Sequence, residues 1–261
     1  MANTVYQNAV LESQLKDNLT TAINHRALMK VDTSLAVEAG TIKKINTYTY
    51  TGKVEKLAPG AKNTVRGQIT YTTTPYEVQR AQQVWDYNDI EFMSDPTIVE
   101  HGMKAGANLL VNDIVEDFYA EAAKATLEAN FPKDGFTYDS VVDAIALMNI
   151  EDESNLNLLI NPSLKAEIRK DADFKTKELG QVIVDGAIGT LCGVPVIVSK
   201  AVPVDTAYVM KPEAITLFMK KDAEVEQERD GEAGINTIIM RQVELVALTD
   251  ATKIVRMTRS A

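Results

Sequence analysis

The sequence predicts an α+β fold built from extended parts strung along the chain. Three observations predict it. Residues 41–75 are dense in Thr, Tyr and Lys around a central Pro-Gly, residues 96–129 carry one uninterrupted helical pattern, and the C-terminal segment is dominated by long β-branched runs. Strands favour β-branched and aromatic residues, whereas a helix needs apolar residues recurring every three or four positions.

Bulk properties set the frame. The 261 residues suffice for one large domain or two small ones with a real core, and 45% hydrophobic residues is ordinary for a globular chain. The formal net charge of -10 repels nucleic acid on average. The single cysteine, Cys192, excludes an intrachain disulfide and fits a reducing compartment. The first 30 residues hold no apolar stretch of signal-peptide type, and no segment is apolar over the roughly 18 to 20 residues of a membrane span. A soluble, cytoplasmic, acidic protein is expected.

Residues 1–35 read as an arm. Leu11, Leu15 and Leu19 recur every four residues among polar neighbours, which gives a short helix with too little apolar area to fold alone. In the next segment, Thr47–Thr51 and Gln68–Thr73 read as two strands, and Pro59-Gly60 marks the turn region between them. Lys43, Lys44, Lys53, Lys56, Lys62 and Arg66 face one acid, Glu55. The segment is therefore +5 and the rest of the chain -15. An isolated hairpin is marginal in water. Its charge favours an arm lying on an acidic neighbouring subunit over a solvated edge hairpin of its own domain.

The helical pattern over 96–129 follows Asp95, a cap candidate, and Pro96, which suits a first turn. Ile98, Val99, Met103, Leu110, Ile114, Val115, Phe118, Ala122 and Ala125 mark its apolar face. Such a helix would span roughly 50 Å and act as a spine. Its acids, including Glu116, Asp117 and Glu121, outnumber its lysines, so it is the expected electrostatic partner of a neighbour's basic hairpin. Beyond Gly135 the pattern mixes types: a helix over Tyr138–Asn149, a strand over Leu156–Ile160, a helix from Asn161 to about Lys170, and strands over Val194–Val198 and Ala207–Met210. Short strands separated by helices predict a compact α/β lobe. Ala223–Glu228, Ile235–Leu248 and Thr252–Arg259 then read as closing strands.

Catalytic signals are weak. His25 and His101 lack a partner at metal-ligand spacing and are expected at the surface or at helix ends. Cys192 is expected to be a small, partly buried turn residue rather than a nucleophile. Gly186, Gly189 and Gly193 precede a strand, whereas a dinucleotide site needs the strand first. No cofactor and no metal are expected.

Four stretches carry a resemblance. Leu158-Leu159-Ile160-Asn161-Pro162-Ser163, Leu191-Cys192-Gly193-Val194-Pro195-Val196-Ile197-Val198, Lys221–Arg229 and Arg241–Leu248 resemble, in order, segments of the major capsid proteins of tailed bacteriophages, which have the HK97-type fold. The resemblance implies an N-arm over 1–35, an extended E-loop hairpin over 36–78, a P domain with its spine helix over 79–134, an A domain over 135–212, and closing P-domain strands over 213–261. It implies no enzyme but a subunit of pentamers and hexamers closing into an icosahedral shell around double-stranded DNA. The partners it implies are copies of the chain, a separate scaffolding protein and a portal. The inter-subunit contacts would be Lys43, Lys44, Lys53, Lys56, Lys62 and Arg66 against Glu116, Asp117 and Glu121. Some family members cross-link a hairpin lysine to an asparagine with help from a glutamate. Lys53, Lys56 or Lys62 with Asn236 and Glu244 would occupy those roles, although solvated lysines and ordinary strand residues are the expected outcome. Two other readings are an encapsulin-type compartment with the same fold and a soluble α/β enzyme using the central lobe.

Overall fold

The computed structural model describes residues 11–13, 15, 25–37, 40–170 and 189–260. Two sheets and a detached hairpin are arranged around one long helix. The four-stranded sheet has the order β1 (Lys30–Asp32), β10 (Ile215–Asp230), β11 (Ile235–Leu248), β4 (Gln79–Asn88), with β1 parallel to β10 and the other pairs antiparallel. β11 alternates buried Asn236, Ile238, Met240 and Gln242 with half-buried residues, then becomes buried throughout from Glu244 to Ala247. Two register shifts in β10, between Met219 and Glu224, put extra residues opposite β11; bulges of this kind bend and twist a ribbon.

The second sheet is six-stranded, ordered β5 (Leu127–Phe131), β12 (Ile254–Arg259), β9 (Thr206–Met210), β6 (Asn157–Ile160), β8 (Val194–Val198), β7 (Thr190–Leu191). It draws β5 and β12 from either side of the predicted lobe. Helices Tyr138–Met148 and Pro162–Lys170 belong to the same body. Both pack apolar side chains on the sheet, with Val141, Ala144, Leu164 and Ile168 joining Leu158, Ile160 and Val209. Asn161 starts the second helix as predicted, its side-chain oxygen accepting from the Ser163 N–H at 3.0 Å. Arg259 closes the C-terminal end of β12. Its guanidinium donates to Asp205 and Glu167, both at 2.7 Å, and to the Lys133 carbonyl at 3.0 Å, and it lies 5.1 Å from the centre of the Phe131 ring. Arg259→Ala is expected to cost about 2 kcal/mol, a fall of roughly 4–8 °C in thermal unfolding. Arg259→Lys should recover little, because a single ammonium cannot reproduce the planar fork.

The spine helix runs Ile98–Ala122, 25 residues and so about 37 Å rather than the expected 50. Residues 127–129 read as the end of the helix because Ala and Leu suit either period, and they belong instead to β5. Their alternation of half-buried and exposed positions is that of β5, which pairs parallel with β12. At the other end Asp95 forms a turn ahead of the helix, accepting from the Thr97 N–H and hydroxyl at 3.0 and 2.6 Å. The first half of the helix, with Val99, Met103, Ala107 and Leu110, packs on Ile238, Met240 and Val225 of the ribbon. Gly106 leaves room for the terminal methyl of buried Met240, which a Cβ there would displace. The second half packs Ile114, Phe118, Tyr119 and Ala122 against Leu159, Tyr208, Leu217 and Val246, where the two sheets meet. The spine thus joins both bodies.

The arm's Leu11 and Leu15 are fully buried in the ribbon-side core; Leu19 lies outside the described residues. His25 opens the short 3-10 helix His25–Leu28, one of its two expected placements, but it is buried. His25 is only 4% exposed rather than on the surface, with Nε2 3.3 Å from the Tyr119 hydroxyl and its ring edge-on to Phe118. Its partners lie some ninety residues away in sequence, and local polarity cannot reveal them. His101 is exposed.

Candidate assembly surface

Beyond its base the hairpin packs on no core cluster among the described residues. β2 (Ile42–Thr51) and β3 (Gln68–Glu77) pair antiparallel in unbroken register, from Ile42 opposite Glu77 to Thr51 opposite Gln68. Both strands run longer than the Tyr/Thr alternation predicts. The base is fixed to the chain's own body. Ile45 and Tyr76 pack with Val78, Phe218 and Leu245, the Lys43 ammonium lies 5.4 Å from the Phe218 ring centre, and Lys220 bonds the Gly40 carbonyl. Beyond the base every strand residue from Asn46 to Thr51 and from Gln68 to Thr74 is exposed. Lys44, Lys53, Lys56, Lys62 and Arg66 are all exposed, and Lys43 is half-buried at the base.

Glu55, the one acid among residues 41–75, closes the loop. It accepts from the Thr64 N–H at 2.7 Å and the Thr64 hydroxyl at 2.5 Å, bonds that hold its carboxyl below the usual range. At the end of the strands the Tyr50 ring lies over both Gly52 and Gly67, where any Cβ would fall within 2.4 Å of its hydroxyl oxygen. The two glycines therefore admit the ring.

The predicted acidic partners divide. Glu116 and Asp117 stand exposed on the outer face of the spine helix beside Asp113. Asp117 titrates above the ordinary aspartate range because of desolvation first and then the neighbouring charges of Asp113, Glu121 and Glu116. Glu121 is only 8% exposed and is occupied within the chain. It accepts from Lys124 at 2.5 Å, from the Tyr76 hydroxyl at 3.2 Å and from the Leu248 N–H at 3.2 Å. It thereby ties the hairpin base to the spine and to the end of β11, and the Tyr76 hydroxyl is pushed up to about 12 by burial and then by this carboxylate.

Within one chain Asn236 and Glu244 lie eight residues apart on β11, about 26 Å in an extended strand, so a single subunit does not bring the cross-linking pair together. Asn236 is buried and donates to Asp89 at 3.0 Å. Glu244 is 5% exposed. It receives the Gln242 amide at 2.8 Å through one oxygen, and its other oxygen has no hydrogen-bond partner among the described residues. Burial pushes its carboxyl up to about 8; Arg26 opposes this, while Asp113 and Asp117 add to it. The folded chain therefore holds a proton that the unfolded chain releases near 4.5. This contribution to stability is complete below that value and is lost as pH rises through about 8, on the order of 3–5 kcal/mol in all. Thermal unfolding from pH 5 to 8 should show a falling stability that Glu244→Gln flattens; an unchanged slope in the variant would contradict the assignment.

Cys192 sits in the β7–β8 turn at φ 54°, half-buried, as the sequence predicts, and desolvation pushes its thiol upward. Among the described residues no group of three or more His, Cys, Asp or Glu could hold a metal ion.

A spine helix, a bent ribbon, an α/β lobe and a projecting hairpin together define the HK97-type capsid fold. Among solved structures, the capsid of Cyanophage P-SCSP1u is similar at TM-score 0.69 and 12% identity, covering 89% of this chain and 86% of that one. A virus-like particle from Pyrococcus furiosus is similar at TM-score 0.67 and 12% identity, covering 97% and 100%. In sequence, the major capsid protein of Staphylococcus phage phiMR11 is 25% identical over 263 residues, 97% of this chain and 93% of that protein. The phage capsid protein family model matches residues 70–257, and the chain belongs to that family as a major capsid protein. It is a structural subunit of a virion shell. The fold is shared with a virus-like particle and does not separate the alternatives; the family match at sequence level favours the phage capsid over an encapsulin-type compartment.

Proposed function

We propose that copies of this chain form pentamers and hexamers that close into an icosahedral shell around double-stranded DNA, each hairpin strapping its subunit to a neighbour. The parts take the roles implied by the resemblance: N-arm 1–35, E-loop 36–78, P domain 79–134 with closing strands 213–261, and A domain 135–212. The observation that carries this reading is the hairpin itself, exposed beyond its base, whose residues 41–75 carry +5 on a chain otherwise at -15. Its lysines Lys44, Lys53, Lys56 and Lys62 and Arg66 meet a neighbour's acidic face, with Glu116 and Asp117 as the contacts on the spine helix. Lys43 and Glu121 serve within the subunit and set the angle at which the hairpin leaves it. The chain catalyses nothing in this role, and its acidity keeps the wall from adhering to packaged DNA. Assembly in the host cytoplasm, with a separate scaffolding protein and a portal, completes the scheme.

Salt tests the electrostatic part. At about 1 M ionic strength the Debye length falls to about 3 Å, so sedimentation of the purified chain should show assembly weakening steeply between 0.1 and 1 M NaCl. Assembly that is indifferent to salt would contradict the charge-led contact.

A further inference from the structure

The register divides the hairpin into two faces of opposite chemistry. Residues directly opposed in an antiparallel pair point to the same side, and alternate residues share a side. Tyr48 opposite Tyr71 and Tyr50 opposite Ile69 therefore share one face, with Asn46, Thr73 and Lys44 toward its base. Thr47, Thr49, Thr51, Thr70, Thr72 and Thr74 make the other face.

The tyrosine face is apolar, exposed and held in shape. Its four large side chains are each 65–67% exposed, together about 500 Å², the scale of an apolar patch that marks an interaction site. Tyr48 and Tyr71 pair with ring centres 6.1 Å apart, Tyr50 is seated over Gly52 and Gly67, and the Thr73 hydroxyl donates to Asn46 at 2.7 Å. Rigid tyrosines lose little freedom on binding and are common anchors. The threonine face satisfies part of its polarity itself: the Thr51 and Thr70 hydroxyls donate to the Gln68 and Thr49 carbonyls at 3.3 and 3.4 Å.

We propose that the tyrosine face, formed by Tyr48, Tyr50, Ile69 and Tyr71, docks on a second copy of this chain while the threonine face remains in solvent. This rests on the strap reading above and adds which side of the strap is the adhesive one. Charge selects the occupant. Lys44 lies on the tyrosine face and Lys53, Lys56, Lys62 and Arg66 surround its tip, whereas the remainder of every other copy is strongly acidic. The patch alone is somewhat over half of the roughly 800 Å² each partner contributes to a standard interface, and the basic loop supplies a polar rim.

Thiol accessibility in assembled shells tests this without removing a tyrosine. In a Cys192→Ser background, Thr73→Cys places a thiol on the tyrosine face and Thr72→Cys one on the threonine face. Both should react with a bulky maleimide in the dissociated chain. In shells, reaction at position 73 should be strongly slowed while that at position 72 continues. Protection at position 72 alone would overturn the assignment of faces and leave the strap standing. Equal reaction at both sites, as fast as in the free chain, would overturn the strap together with the proposal. Independently, Tyr48→Ser with Tyr71→Ser should raise the critical assembly concentration about tenfold or more, with the circular dichroism of the free chain unchanged. Thr49→Ser with Thr72→Ser should leave it near wild type, and equal effects from the two pairs would also overturn the proposal.

Discussion

Replacing Lys53, Lys56 and Lys62 together with Glu is expected to abolish shell assembly and leave the chain folded. The three lysines are exposed positions of the loop between β2 and β3, far from every buried cluster, so reversing them removes no core contact. Each reversal loses an attraction worth up to about 1 kcal/mol and adds a comparable repulsion against an acidic neighbour. Three of them weaken each hairpin contact by about 3 kcal/mol or more, roughly a hundredfold in the concentration needed for assembly. Circular dichroism and thermal unfolding should match the wild type while sedimentation shows only small species. Normal shells from the triple variant would exclude the electrostatic strap.

Phe118→Ala should give the largest loss of stability in the spine, about 3–5 kcal/mol, or roughly 10 °C in the unfolding temperature for a chain of this size. Phe118 is fully buried where the two sheets meet, with ring centres 5.0 Å from Tyr119 and 5.9 Å from His25, both edge-to-face. Truncation removes the ring contacts and opens a cavity that the helix and the sheets on either side cannot close. Phe118→Leu should recover much of the loss. A fall of only a degree or two for Phe118→Ala would mean that the spine does not join the bodies as described.

The readable parts of the fold were those whose signal is local. Ile235–Leu248 was legible as a strand to its last residue because a β-branched run lay between two turns, and Asn161 because a cap acts within two residues. The hairpin's strands were legible from alternating Tyr and Thr; its two faces were not. Placing Ile69 and Tyr71 beside Tyr50 and Tyr48 depends on register across a sixteen-residue loop, and a slip of one residue would send them to the opposite side. Glu121 looked like its neighbours Glu116 and Asp117 because all three are acids on one helix. What sets it apart is Tyr76, brought in from the hairpin base 45 residues earlier. The burial of His25 was hidden for the same reason, and the end of the spine because Leu127 and Ala129 fit a helix until β12 pairs with them. Contacts at long sequence separation decided each of these cases.

In the proposed shell the hairpin, exposed beyond its base, completes the wall by lying on another copy. Electron cryo-microscopy of shells assembled from the purified chain tests it most directly. Closed shells are expected in which residues 42–77 of each subunit cross onto a neighbour, tyrosine side down, with the loop lysines over acidic side chains. Shells in which the hairpin folds back on its own subunit, or a chain that remains a monodisperse monomer at high concentration, would contradict it.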